Sequence, residues 1–110
     1  MIFEVNDENF EEEIIYSELP VVVDFWAKWC TPCLKFLPTF KSLSKKYEGK
    51  IKFLRCNTEK NKAVANLFDV KSLPTTLFFC DGKIQSRSIG NYNIQSFEEK
   101  LKKLMKKCQV

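Results

Sequence analysis

The stretch Pro20–Cys33, PVVVDFWAKWCTPC, joins two kinds of local structure. Its first part, PVVVDFWA, is a continuous apolar and β-branched run, the pattern of a strand buried on both faces. From about Cys33 to Tyr47 the apolar residues Phe36, Leu37, Phe40, Leu43 and Tyr47 recur at helical spacing. Pro38 lies inside that segment, where a kink is expected. The cysteines Cys30 and Cys33 therefore fall where a strand ends and a helix begins.

Working outward, MIFEV is a short strand candidate, and NDENFEEEIIYS reads as a helix. Asn6 or Asp7 would be its N-cap, with acids in the first turns and Phe10, Ile14 and Ile15 on its apolar face. Downstream, KIKFLRCN predicts a second buried strand, with Gly49 marking the stop before it, and NKAVANLFDV a short helix. TTLFFCDGKIQSRSI predicts two strands around Asp81-Gly82, a favoured hairpin dipeptide. From about Ile94 to Cys108 a last helix lines up Ile94, Phe97, Leu101, Leu104 and Cys108, with Glu98 and Glu99 early and lysines late, as the helix dipole favours. The resulting order, β-α-β-α-β-α-β-β-α, implies an α/β architecture with a mixed sheet and helices on both faces.

The chain has 110 residues, enough for a single domain over 1–110 with its own core. Its net charge of +4 comes from eighteen basic and fourteen acidic residues interspersed along the chain. That reads as a solvated surface rather than the dense basic stripe of a nucleic-acid binder, so no nucleic-acid partner is expected. No apolar run approaches the roughly 20 residues of a membrane helix. The first ten residues lack the basic and apolar regions of a secretory signal. A cytoplasmic location, where thiols are kept reduced, is the expectation.

Five cysteines, Cys30, Cys33, Cys56, Cys80 and Cys108, occur without a single histidine. Apart from the first two they are far apart in sequence, which argues for isolated buried thiols rather than a disulfide framework. Cys80 abuts the hairpin turn and is the one expected to be partly exposed, which makes it a candidate modifiable thiol beside the reading as a small apolar residue.

At a helix start, residues three apart lie about one turn from each other, within the ~4.4–6.8 Å between Cα atoms that a disulfide spans. The helix N-terminus stabilises a thiolate at the first cysteine, and Pro32 suits the first turn because the N–H it lacks would have no partner. A thiol of pKa ~8.5 is only about 3% ionised at pH 7; bringing it to neutrality takes roughly 2 kcal/mol of differential stabilisation. Cys30 is thus the candidate nucleophile and Cys33, deeper in the helix, the candidate resolving thiol. Zinc would need four ligands, and neither histidines nor a second close cysteine pair is present, so no metal is expected. A structural staple across so short a loop would gain little entropy.

Asp24 interrupts the apolar strand that leads to the cysteines. Burial without a partner would raise its pKa, and a neutralisable carboxyl there could exchange a proton with Cys33.

Over its whole length the chain resembles the thioredoxin family. The resemblance rests on VDFWAKWCTPC, Pro38, SLPTTLFF, DGK and SIGNY, in the family's order and spacing. It implies the thioredoxin fold, a central mixed five-stranded sheet flanked by four helices. It also implies a protein-disulfide reductase in which Cys30 attacks a target disulfide and Cys33 releases the reduced target. Such a dithiol binds no cofactor; NADPH would act indirectly, through a thioredoxin reductase, and the partners would be that reductase and disulfide-containing proteins meeting a monomer. The family's cis-proline maps onto Pro74, and Trp29, Leu73, Pro74 and Gly90 would form an apolar docking surface, with Trp26 the better core aromatic. Thr31-Pro32 stands where Gly-Pro is most familiar, Leu34 where a lysine is usual, and Arg55 where a lysine near the aspartate is common. Thr31 and Pro32 would tune the potential. A thioredoxin-fold oxidase or isomerase, and a redox-inert binding module, are the alternative readings.

Overall fold

Val21–Trp26 forms the centre of the sheet, and its alternation sorts the core into two layers. In the computed structural model, which describes residues 1–91 and 93–109, the strands are β1 (Ile2–Glu4), β2 (Val21–Trp26), β3 (Lys52–Asn57), β4 (Thr75–Cys80) and β5 (Lys83–Ile89). They make one sheet of order β1-β3-β2-β4-β5, in which β1, β3 and β2 run parallel and β4 and β5 antiparallel to their neighbours. The helices are a short π-type segment at Glu11–Ile15, α1 (Thr31–Lys46), α2 (Lys62–Leu67) and α3 (Ile94–Lys107). The expected order of elements is the observed one. Among the described residues no helix is long and apolar enough to cross a membrane.

Val22 of β2 faces α1 and α3, in a core with Phe36, Phe40, Leu43, Phe53, Phe78, Phe97 and Leu101. Val21, Val23 and Phe25 face the other way, against Ile14, Leu54, Val64, Leu77 and Phe79. Period-two alternation on a doubly covered strand thus fills both layers with one apolar run. The aromatic rings of Phe40 and Phe97 stack at 5.9 Å across the α1–α3 interface. At the edge of that interface Glu98 accepts a hydrogen bond from Tyr47 Oη at 2.5 Å and pairs with Lys46 at 2.6 Å.

The structure decides between Asn6 and Asp7 as the local cap and corrects two other expectations, the helix type at Glu11–Ile15 and the burial of Ile94. Asp7 does not cap its own helix: its carboxylate accepts from the backbone N–H groups of Val64, at 2.8 Å, and Ala63, at 3.4 Å, and so caps α2. Asn6 takes the local role, accepting from the N–H groups of Glu8 and Asn9, both at 2.8 Å, ahead of a π-type rather than a full α-helical segment. Ile94 is more than one-third exposed, because it lies in the first turn of α3 before the helix settles onto the sheet at Phe97.

The hairpin forms as read. Asp81 and Gly82 both have positive φ, 51° and 76°, which suits the right-handed twist of the flanking strands. Gly82 is also required by packing, since a Cβ there would lie 2.7 Å from the carbonyl oxygen of Ile15.

Candidate active site

Strand β2 ends at Trp26, and a short connection carries the chain to Cys30, the N-cap of α1. The Cα atoms of Cys30 and Cys33 are 5.3 Å apart and their sulfurs are joined as a disulfide. The backbone N–H of Cys33 donates to Cys30 Sγ at 3.2 Å, so one orphan donor of the helix start is aimed at the first sulfur. Both cysteines are buried, Cys33 without exposed surface and Cys30 with 3%. Thr31 and Pro32 between them are exposed. Both sulfur residues pack with Ala27, against Trp26 and Leu73.

The loop before β4 brings a second chain segment to the pair. The Leu73–Pro74 peptide bond is cis. Thr75 Oγ1 donates to the Ser72 carbonyl at 2.6 Å, and the Gly90 N–H donates to the Pro74 carbonyl at 2.8 Å. Leu73 therefore meets the cysteines directly, and Gly90 is tied to Pro74. Trp29, one residue before Cys30, is 70% exposed and belongs to the surface. Tyr92 of the SIGNY motif lies outside the described residues.

Asp24 is fully buried, at the centre of the sheet on the same face as Val22 and Trp26. It has a partner: Arg55 Nε donates to Asp24 Oδ2 at 3.1 Å, from the directly opposed position on β3. The guanidinium lies over the Trp26 ring, 4.2 Å from its centroid, in a cation–π arrangement. Trp26 is accordingly half-buried beneath Arg55 rather than fully in the core. Burial raises the Asp24 pKa from 3.8 to about 6, with the attraction and hydrogen bond of Arg55 opposing that rise and the charge of Glu4 adding to it. A carboxyl of this kind changes charge close to neutrality.

The resemblance placed Arg55 near Asp24, but sequence reasoning missed Glu4, Thr76 and Ser88. Glu4, Arg55, Asp24, Thr76 and Ser88 occupy directly opposed positions on successive strands, a polar row crossing all five. Asp24 Oδ1, Thr76 Oγ1 and Ser88 Oγ are buried and find no hydrogen-bond partner among the described residues. The available signal is strand alternation: Thr76 shares a face with Phe78, and Ser88 with Ser86, which puts hydroxyls where apolar residues would fill the layer. Among the described residues no group of three or more His, Cys, Asp or Glu side chains is placed to hold a metal ion.

A sheet strand that carries a buried carboxyl and delivers two cysteines to a helix N-terminus, where the loop with a cis-proline packs on them, defines a dithiol–disulfide exchange protein. The sequence pattern of the thioredoxin family matches residues 1–107, and the chain belongs to that family. It is 37% identical over 99 residues to a thioredoxin of Rickettsia bellii, covering 90% of this chain and 94% of the other. It is 40% identical over 87 residues to a thioredoxin of Synechocystis, covering 79% and 81% of the two chains. An M-type chloroplastic thioredoxin of Pisum sativum is 41% identical over 99 residues, covering 90% of this chain and 58% of that longer one. The protein is thus a thiol–disulfide oxidoreductase, a protein-disulfide reductase whose redox group is its own cysteine pair, so that no bound cofactor is needed.

Proposed function

We propose that this single domain, residues 1–110, works as a monomeric cytoplasmic electron carrier. Its dithiol reduces disulfides in target proteins, and a thioredoxin reductase drawing on NADPH recharges it. The observation that carries the assignment of roles is the asymmetry of the two sulfurs. Cys30 is the N-cap and its sulfur accepts the Cys33 N–H, whereas Cys33 lies inside the first turn and, among the described residues, receives no such bond from the helix start.

In the forward reaction the Cys30 thiolate attacks one sulfur of the target disulfide and expels the other as a thiolate. The fixed N–H at 3.2 Å and the helix dipole favour that anionic sulfur before attack. Cys33 then gives up its proton and attacks Cys30 Sγ, closing the Cys30–Cys33 bond and releasing the second target thiolate. Two electrons pass from the protein dithiol to the target. Asp24, titrating near pH 6, takes the proton of the otherwise inaccessible Cys33. Thr31 and Pro32 set the balance between dithiol and disulfide. Trp29, Leu73, Pro74 and Gly90 receive the target segment around the scissile bond. Support for that surface comes from the exposure of Trp29, the packing of Leu73 on the cysteines and the Gly90–Pro74 hydrogen bond. A cytoplasmic location is supported by the reducing surroundings that a dithiol donor requires. The chloroplastic label belongs to the pea relative.

Reduction of insulin with dithiothreitol as electron source tests the assignment. The parent protein turns over, Cys33→Ser accumulates a stable mixed disulfide, and Cys30→Ser forms none. A Cys30→Ser protein that traps the target as readily as Cys33→Ser would overturn the roles.

A further inference from the structure

Cys80 ends β4 immediately before the hairpin turn, and Cys108 is the C-cap of α3. Their sequence separation of 28 argues for isolated thiols, but the fold brings their Cα atoms to 5.7 Å and their sulfurs into contact. That separation lies within the roughly 4.4–6.8 Å that a disulfide bridges. Both residues are half-buried at the surface. Cys56 differs in kind: it is fully buried, and burial, with the charges of Asp7 and Glu4, pushes its thiol up to about 12.

The pair sits at the far end of the sheet from the catalytic cysteines. β4 runs antiparallel to β2, with Thr75 opposite Phe25 and Phe79 opposite Val21, so Cys80 lies beyond the start of β2 while Cys30 follows its end. The length of β4 alone separates the two sulfur sites by about 17 Å. The charges around the pair are mostly positive. Lys83 is directly opposite Cys80 in the hairpin, and Lys106 and Lys107 form the last turn before Cys108. Lys103 and Lys107 line a shallow groove with Gln85 and Ser86 of β5. Among the described residues an opposing charge is Asp81, whose carboxylate is 3.9 Å from Cys80 Sγ. Cations beside a thiol favour the reactive thiolate and attract anionic reagents.

We propose that Cys80 and Cys108 are a second redox couple, a reversible staple between the C-terminus of α3 and the β4–β5 hairpin. It closes by exchange with an anionic low-molecular-weight disulfide of the glutathione type. The thiolate of one cysteine attacks a sulfur of the small disulfide, forms a mixed disulfide and expels one small thiolate. The other cysteine loses its proton to solvent and attacks the protein sulfur of that mixed disulfide, expelling the second small thiolate and closing the Cys80–Cys108 bond. The protein loses two electrons and two protons, and one small disulfide becomes two thiols. Excess thiol reverses the sequence. Closure ties down a loop of 28 residues and so restricts the unfolded chain, without touching the groups that perform target reduction.

The test uses the full chain with Cys30→Ser and Cys33→Ser combined, so that only Cys56, Cys80 and Cys108 can respond, and glutathione disulfide as the oxidant. The expected product is a monomer whose mass shows two hydrogens lost and no glutathione gained. Its proteolytic map should contain the Cys80 peptide linked to the Cys108 peptide. Its Tm should rise by about 10 °C and fall back on reduction. Cys108→Ser in the same background should instead retain one glutathione on Cys80 and show no such rise. The parent protein, mapped in the same way, gives the same linked peptide alongside Cys30–Cys33 and guards against a folding defect in the variants. Glutathione retained on both cysteines, linkage between two chains, or unmodified Cys80 and Cys108 in a parent whose Cys30–Cys33 pair has oxidised would each overturn the proposal.

Discussion

Replacing Asp24 by Asn should stabilise the reduced protein by an amount that grows with pH. The carboxyl is fully buried, and its pKa is raised from 3.8 to about 6, chiefly by burial. A carboxyl with a raised folded pKa holds its proton more tightly in the native state than in the unfolded one. Below pH 3.8 both states are protonated and the group is neutral to stability; between 3.8 and about 6 stability falls as pH rises; above that the full cost is present. Moving the pKa from 3.8 to about 6 corresponds to roughly 3 kcal/mol, of which only about half a kcal/mol is felt at pH 4. The pull of Arg55 on the ionised carboxyl is already contained in the value of about 6, and an asparagine oxygen can still accept from Arg55 Nε, so only the difference between a neutral carboxyl and an amide is constant with pH. The informative quantity is therefore the change with pH. The stability difference between variant and parent should widen by about 2 kcal/mol from pH 4 to pH 8. Urea unfolding of both reduced proteins at the two pH values measures it, and subtraction cancels carboxyls distant from the mutation. A difference that stays flat or narrows toward pH 8 would refute the placement of Asp24 as a buried, late-titrating acid.

The same variant should slow release of the mixed disulfide by about tenfold or more in single-turnover experiments, since proton acceptance by a placed group contributes at least that much. Equal rates for parent and variant from about pH 6 to pH 9 would remove Asp24 from the proton path. At the hairpin, Gly82→Ala should cost about 1–3 kcal/mol, because positive φ combines there with a Cβ at 2.7 Å from the Ile15 carbonyl. Gly49→Ala, also at positive φ but with open space around its Cβ, should cost about 1 kcal/mol, and equal urea midpoints for the two would show that the close contact carries no energy.

What could be read from the sequence divides by distance along the chain. The β2–α1 junction was legible because strand pattern, Cys30, Pro32 and the helical repeat from Phe36 to Leu43 are neighbours, and each constrains the next through local geometry. The hairpin was legible for the same reason, Asp81-Gly82 being a turn signal that acts over two residues. Asn6 and Asp7 cannot be told apart as caps in the sequence, because an aspartate near a helix start is an equally good cap for any nearby orphan N–H, and here the N–H groups come from Val64 and Ala63. Capping chemistry names the donor type and leaves the donor's identity to tertiary structure.

The two cysteine pairs show the same limit in its functional form. Cys30 and Cys33 are held together by one helical turn, so their spacing alone states their geometry. Cys80 and Cys108 depend on α3 crossing the sheet and ending beside the hairpin, which is decided by Phe97, Leu101 and Leu104 seating against the β-sheet layer. No local pattern carries that information. The positions also differ in what the protein supplies to a sulfur. At Cys30 the helix N-terminus gives a donated N–H at 3.2 Å; at Cys108 the chain presents the helix C-terminus, where carbonyl dipoles disfavour a thiolate and only lysines offset them. One fold thus offers a sulfur pair poised for rapid attack on incoming disulfides and another whose reactivity depends on exposed, salt-screened cations. The catalytic pair should accordingly exchange faster than the distal one, and raising the ionic strength should slow closure at Cys80 and Cys108 more than at Cys30 and Cys33.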